Sequence, residues 1–241
     1  MSRHAPVTTL NRWTTGENPC EYLHDRPARL EYELVARLSP EEYEARMNAG
    51  WRKFGHVLFH PVCTDCRECR PIRIPVAGFT PDRSQRRVLK HCRARFEVRF
   101  ATPTVDDARL RLYNRYHAQQ EARKGWPASE KSADEYHFSF VQSPLPAVEI
   151  SVWEGEALRS VVLTDLTPNV VSGVYHYYDP DLRDAGIGVF SLLQTIDLAH
   201  LMGKTYAYFG FYVAGCASLS YKARFRPCEI LGDDGVWRLH P

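Results

Sequence analysis

Three runs of strand-forming residues, Val148–Trp153, Leu158–Leu163 and Val170–Tyr178, follow one another across short turns, the first being Glu154-Gly155-Glu156. After the third run and Asp179-Pro180-Asp181-Leu182 comes Arg183-Asp184-Ala185-Gly186-Ile187-Gly188, and then a helical pattern from about Gly188 to Met202, closed by Gly203. No other stretch restricts the fold as tightly. Short turns return each strand beside its predecessor, so the runs predict an antiparallel meander. The helix and the run Thr205–Phe211 add a strand–helix–strand unit, and the whole order describes an α+β domain. Glycines at a strand–helix junction let backbone N–H groups point into a concavity, where the helix N-terminus adds partial positive charge. The loop therefore suits a phosphate or a nucleotide tail. A tight strand-to-helix turn would use the same glycines.

Upstream, residues 1–38 show no dominant periodicity. Ser39-Pro40-Glu41-Glu42 opens a helix: Ser39 can cap it, Pro40 suits the first helical position, and Glu42 completes a capping box before Gly50 ends it. Trp51–Phe59 reads as one aromatic strand, and Arg70–Val76 as an extended segment whose Pro75 belongs at an edge or a strand end. Thr80-Pro81 restarts a helix with Arg83, Arg86, Arg87 and Lys90 along one face. Phe96–Phe100 alternates as a strand. Near residue 101 the pattern changes. Thr104 caps a long amphipathic helix that ends by Gly125, and Ser132 with Glu135 makes a second capping box. A short helical piece near Tyr221 and a hairpin through Asp233-Asp234-Gly235 close the chain. The organisation predicted is a small, cysteine-containing and basic α/β region over residues 1–100, then a domain with a mixed, largely antiparallel sheet over 101–241.

Composition narrows the class. Hydrophobic residues are 44% and charged residues 25%, which excludes a disordered chain, a collagen-like fibre and a coiled coil. No apolar run approaches the roughly 20 residues of a membrane helix, and the stretch from Met1 to Leu10 has no apolar core of signal-peptide length. A cytoplasmic protein without a membrane partner is expected. The net charge of +2 hides an asymmetry: residues 67–100 hold ten Lys/Arg against three acids, so that segment is +7 and the rest −5. Such a concentration suits a polyanion such as RNA, or a solvated basic helix face. Seven cysteines is an odd count, and Cys63, Cys66 and Cys69 lie within seven residues. That argues against a secreted disulfide framework and for reduced thiols or a metal site. Three thiolates so spaced can converge on one ion or cluster, with a fourth ligand from elsewhere; His60 and His56 are nearest in sequence. Neither a Walker loop nor His-Glu-x-x-His is present.

Arg183-x-x-Gly186-x-Gly188 resembles the pyrophosphate loop of the GNAT acyltransferase fold. A wider set of motifs runs in order along the chain. They are Asn18-Pro19-Cys20-Glu21-Tyr22-Leu23, Gly50-Trp51-Arg52-Lys53-Phe54-Gly55, Cys63-x-x-Cys66-x-x-Cys69-Arg70-Pro71, Phe79-x-Pro81-x-Arg83-Ser84-Gln85-Arg86-Arg87, Tyr175-His176-Tyr177-Tyr178-Asp179-Pro180, and Tyr221-Lys222-Ala223-Arg224-Phe225. In this the sequence resembles the aminoacyl-tRNA–protein transferases of the N-degron pathway, the bacterial aspartate/glutamate leucyltransferases most closely and the arginyl-transferases as relatives. Two departures bear on donor and acceptor choice: Cys216-Ala217-Ser218-Leu219 stands where the family has a cation, and Gln120-Glu121 replaces an Arg-His pair.

The resemblance implies a GNAT-like transferase domain in the C-terminal half. It also implies an enzyme that moves leucine from Leu-tRNA to the N-terminal Asp or Glu of a protein destined for degradation. Arginyl transfer is the alternative, and an acetyl-CoA-dependent N-acetyltransferase or a non-catalytic RNA- or degron-binding module a further one. The amine of an acceptor titrates near pKa ~7.7–8.0 and the ester is already activated, so positioning and oxyanion stabilisation should outweigh a strong base. Tyr175, Tyr221, Lys222 and backbone N–H groups near Gly210 are candidate oxyanion donors. Asp179 could orient the ammonium or take its proton, or simply shape the turn before Pro180. Arg83, Arg86 and Arg87, with Ser84 and Gln85 beside them, are candidates for the acceptor carboxylate, which needs an arginine fork. The same arginines, with Lys90, Arg93, Arg183, Gly186, Gly188 and Arg224, are candidates for tRNA. The family also carries a cysteine at Cys20, which with Cys63, Cys66 and Cys69 would hold an iron–sulfur cluster or zinc.

Overall fold

A computed structural model describes residues 7–125 and 130–241. Strand β1 (Thr8–Thr14) leads to a two-residue ladder of β2 (Asn18–Pro19) with β3 (Pro27–Ala28), and then to β4 (Leu30–Arg37). Helix α1 (Pro40–Asn48) starts where its cap predicts, the Glu42 N–H donating to Ser39 Oγ, and buries Tyr43 and Met47 one turn apart. The single strand expected over 51–59 is instead a hairpin of β5 (Arg52–Phe54) and β6 (Val57–Pro61). Gly55 makes the reversal at φ 51, and a Cβ there would overlap the Phe138 carbonyl. These strands form a four-stranded antiparallel sheet in the order β1-β4-β6-β5.

The remaining elements are β7 (Arg70–Pro75), α2 (Arg83–Arg93), β8 (Glu97–Ala101), α3 (Asp107–Lys124) and α4 (Ala133–Tyr136), which runs on into a π-helical turn at His137–Val141. They continue with β9 (Ala147–Glu154), β10 (Ala157–Leu166), β11 (Val170–Tyr178), α5 (Ile187–Leu201), β12 (Tyr206–Tyr212), α6 (Ala217–Ser220), β13 (Glu229–Leu231) and β14 (Trp237–Leu239). Two helices begin later than their first cap-like residue. Asp82 caps α2 in a full capping box with Gln85, not Thr80, and Asp106 caps α3, not Thr104. An aspartate beside the first turn accepts an N–H and also meets the positive end of the helix.

The eight-stranded sheet runs β14-β13-β7-β12-β11-β10-β9-β8. Only β11 and β12 pair in parallel; the other neighbours are antiparallel. The chain is therefore α+β with a mixed, largely antiparallel sheet. The expected order of meander, glycine loop, helix and strand is present, and that strand, β12, pairs in parallel with β11. The boundary expected at residue 100 does not coincide with the sheets, because β7 lies between β12 and β13 and β8 completes the far edge. Pro75 sits at the end of β7, where its missing N–H breaks no ladder.

Period-two alternation sends β10 and β11 side chains to opposite layers. Helix α5 covers one face over Ile150, Val162, Leu193, Ile196 and Phe209. Helix α3 and the π-helical turn cover the other over Tyr113, Tyr136, Phe140, Val161 and Tyr177. Buried Arg109 ties α3 to β9 through Glu149 at 2.5 Å. No helix among the described residues is long and apolar enough to cross a membrane.

Candidate functional site

The large sheet opens where its two parallel strands part. Strands β11 and β12 pair only at Val170–Tyr206, Val171–Ala207 and Ser172–Tyr208, although they continue to Tyr178 and Tyr212. Each carries an extra residue at that level. The register of β11 against β10 slips between Gly173 and Tyr175, and that of β12 against β7 slips between Tyr208 and Phe211. Gly210 takes φ 77 within the second bulge, a backbone conformation that favours glycine. Facing bulges turn the strands apart and leave a wedge beyond Ser172 and Tyr208.

Two cations fill the root of this wedge. Arg52 Nη2 donates to the Gly173 carbonyl at 2.5 Å, and Lys222 Nζ donates to the Phe211 carbonyl at 2.9 Å. A Cβ on Gly210 would lie 3.8 Å from each of these nitrogens. Burial, with the nearby Arg52 charge, pushes the Lys222 ammonium down to about 7. Burial, with Lys222, holds His176 down at about 4, so that ring is neutral. His176 Nε2 lies 3.3 Å from Ser160 Oγ.

Helix α5 starts beside these groups. Gly186 occupies its N-cap at φ 80, so no side chain caps the first-turn amides, which leaves them able to receive an anion. A Cβ on Gly188 would stand 3.3 Å from the Tyr178 ring. A Cβ on Gly186 would come within 2.9 Å of Val88. The second contact brings α2 against the glycine loop; Arg83, Arg86, Arg87, Lys90 and Arg93 of that helix are exposed, and Arg93 pairs with Asp197 of α5 at 3.2 Å. Gln85 turns inward, its side chain bonding the Asp82 N–H and the Arg224 carbonyl. Ser84, Arg183 and Arg224 are exposed.

The four residues expected to carry chemistry are not gathered together. Tyr221 adjoins Lys222, and burial with the neighbouring Tyr178 holds its hydroxyl protonated. Tyr175 projects into the α3 layer, where its hydroxyl meets His117 Nε2 at 2.7 Å and its ring stacks on Phe140. Asp179 is buried, with Arg115 at 2.8 Å and Arg159 at 2.6 Å, and also accepts from the Asp181 N–H. Those bonds fix the turn before the glycine loop. The residues that sequence reasoning missed are Arg52, His176 and Tyr178. Arg52 sits inside a motif that reads as an ordinary strand, and no spacing signal marks it.

Cys20, Cys63, Cys66 and Cys69 gather near Cys216, whose thiol also lies within electrostatic reach of Lys222. Burial pushes the Cys69 thiol up to about 12, and Cys20, Cys63, Cys66 and Cys216 add to the shift. Backbone N–H groups of Leu23 and Arg29 donate to Cys20 Sγ and Cys63 Sγ, each at 3.4 Å, and Arg26 reaches Cys66 Sγ at 3.8 Å. Soft sulfur donors with N–H bonds to them are the chemistry a thiolate centre would use. The thiols as they stand do not converge: among the described residues no three His, Cys, Asp or Glu side chains are placed to hold a metal ion. An open pocket of about 120 Å³ lies over Cys63, Cys66 and Cys69, bordered by Arg67 and Arg70.

Comparison with known proteins gives concordant matches. Residues 18–87 match the family described as arginine-tRNA-protein transferase, N terminus, and residues 108–232 match its C terminus. An aspartate/glutamate leucyltransferase of Campylobacter jejuni is 36% identical over 90% of this chain and 91% of its own length. Proteins of the same name from Stenotrophomonas maltophilia and Chromobacterium violaceum are 35% and 29% identical, over 91% and 98% of this chain and 89% and 96% of theirs. Among solved structures, FemX superposes with a TM-score of 0.48 at 11% identity, covering 85% of this chain and 79% of that one.

Proposed function

The chain belongs to the arginine-tRNA–protein transferase family, and from that premise we propose that it transfers leucine from Leu-tRNA to proteins beginning with Asp or Glu. It is an aminoacyltransferase with aminoacyl-tRNA as co-substrate. The observation that carries the donor and acceptor is the identity to leucyltransferases across nine-tenths of the chain. A tRNA substrate supports a cytoplasmic location.

The neutral α-amine of the acceptor attacks the ester carbonyl, a tetrahedral oxyanion forms, and the ribose oxygen leaves while the nitrogen gives up a proton. At neutral pH part of an N-terminal amine is already unprotonated, so the site chiefly has to align two reactants and stabilise the oxyanion. We place the reaction at the mouth of the β11–β12 wedge. Tyr221 and backbone N–H groups near Gly210 would donate to the oxyanion. The α5 first turn, with Gly186, Gly188 and Arg183, would take a phosphate near the tRNA terminus. Exposed Arg83, Arg86, Arg87, Lys90 and Arg93, with Arg224, would follow the backbone. Asp179 holds the turn that sets the glycine loop. Cys20, Cys63, Cys66 and Cys69 would hold a thiolate-bound zinc ion or iron–sulfur cluster, tying the N-terminal segment to the sheet; no step of the transfer passes through it.

The test is direct. Purified protein receives peptides beginning with Glu, Asp, Lys or Ala, with labelled Leu-tRNA, Arg-tRNA or acetyl-CoA. Leucine should appear on the acidic peptides alone. Transfer only from acetyl-CoA, or tRNA binding without transfer, would overturn the reading. Zinc and iron analysis of anaerobically purified protein, against a Cys69→Ala variant, checks the thiol site.

A further inference from the structure

We propose that Arg52 and Lys222 form the subsite for the side-chain carboxylate of the acceptor's first residue, an assignment that rests on the acidic acceptor class proposed above. The argument starts from an imbalance of charge. Three Lys or Arg residues among those described are buried: Arg52, Lys53 and Arg109. Lys53 pairs with Asp165 at 2.9 Å, and Arg109 with Glu149 at 2.5 Å. Arg52, only 6% exposed, makes no ion pair among the described residues. Its guanidinium has the Gly173 carbonyl and, at 3.9 Å, Met47 Sδ. Half-buried Lys222 likewise has a carbonyl and no carboxylate. Two uncompensated cations flank the same glycine, at a place where Arg52 disfavours the charge on Lys222.

Buried charge is costly unless paired. An arrangement that leaves two like charges together, beside strands that have stopped pairing, is suited to a ligand that brings the counter-charge. A carboxylate supplies it, with two oxygens for two donors. A residue whose side chain ends in a neutral amide would leave both cations unpaired, which gives discrimination against Asn and Gln of the kind that buried polar mismatches produce. The wedge position would also place the acceptor's α-amine beside the mouth where the ester must lie. The arginines of α2 are exposed, and Arg83 and Arg87 carry no ion pair among the described residues, which leaves them for RNA.

The experiment compares two peptides, identical except for Glu or Gln at the first position, on wild type and Lys222→Met. The variant should lose the Glu-over-Gln preference in kcat/KM, with the Glu peptide falling by roughly 100-fold and the Gln peptide little affected, while the KM for Leu-tRNA stays the same. Lys222→Glu should shift preference toward a peptide beginning with Lys. If both peptides fall together and their ratio survives, the pair acts on the oxyanion and the assignment is wrong. A raised KM for Leu-tRNA with an unchanged ratio would make it a phosphate site and equally overturn it. Calorimetric binding of the two peptides without tRNA tests the subsite separately: a Glu-peptide preference that Lys222→Met abolishes supports it whatever the donor. Absence of leucyl transfer by wild type would instead strike at the function proposed above. Arg52→Lys, which keeps the charge and the carbonyl contact, should retain the preference in part.

Discussion

Lys53 and Arg52 are neighbours in β5, and their surroundings are opposite. Lys53 Nζ reaches Asp165 at 2.9 Å and Ser143 Oγ at 3.0 Å, inside the join between the small sheet and the large one. Arg52 points the other way along the pleat, toward the bulges of β11 and β12, and meets a carbonyl but no acid. The first arrangement closes its charge and so holds the fold. The second leaves its charge open. Both are buried cations; it is the partner that distinguishes a structural cation from one placed for a ligand. The same contrast separates Arg109, closed by Glu149, from Lys222.

The contrast can be broken most sharply by deleting each cation. Lys53→Met strands Asp165 as an uncompensated buried charge and is expected to cost about 3–5 kcal/mol in denaturant unfolding. Arg52→Met removes a charge that nothing balances. It leaves only the Gly173 carbonyl without its donor, a loss expected to stay within about 1–3 kcal/mol. Equal losses would mean that Arg52 is as structural as Lys53. A smaller effect is expected at the glycine loop. Gly186 has φ 80 and no room beside Val88, so Gly186→Ala should cost about 1–2 kcal/mol and raise the KM for Leu-tRNA. A Cβ tolerated at no cost would show that α2 is not pressed against that loop.

Much of this framework was legible in the sequence. The β9–β11 meander, the helix after the glycine loop and the cap of α1 follow from local rules, because alternation and capping act over a few residues. The β5–β6 hairpin was not, since Gly55-His56 is no strong turn dipeptide and the reversal is imposed by the backbone of Phe138. The insertion of β7 between β12 and β13 joins segments more than 130 residues apart, which local pattern does not encode. For the site, the Cys63, Cys66 and Cys69 spacing and the basic face of α2 were visible. The wedge depends on two register slips, and Arg52 gains its meaning only from the acid that is missing nearby.

The Lys222 reading predicts a pH dependence that sharpens the comparison. Arg52 from β5, His176 from β11, Cys216 from the loop before α6 and the adjacent Tyr221 surround the amine, and His176 stays neutral throughout because its value is about 4. Lys222 is an ammonium below about 7 and an amine above. The Glu-over-Gln preference should therefore be greatest in mildly acidic buffer and decline as pH rises through neutrality. Arg52 alone would carry what remains. Ionisation of the attacking amine is common to both peptides and cancels in the ratio of their kcat/KM values. A ratio that is flat with pH would show that the Lys222 charge takes no part in selection.

The smallest effect expected is on α2, the exposed counterpart of the buried pair. Arg87 is solvated, so removing it leaves no stranded partner and should not change stability measurably. Its contribution to RNA binding is counterion release, which is read in the salt dependence rather than in affinity at a single ionic strength. Arg87→Ala should lower the slope of log K against log salt by about 1 and should weaken Leu-tRNA binding without altering the preference between Glu and Gln peptides. The logic runs opposite to that of Arg52: an exposed cation senses salt and ignores the acceptor, whereas a buried one senses the acceptor and is shielded from salt. If Arg87→Ala changes acceptor preference with its salt slope intact, the arginine fork for the acceptor lies on α2, and the division of labour between the two cationic surfaces must be reversed.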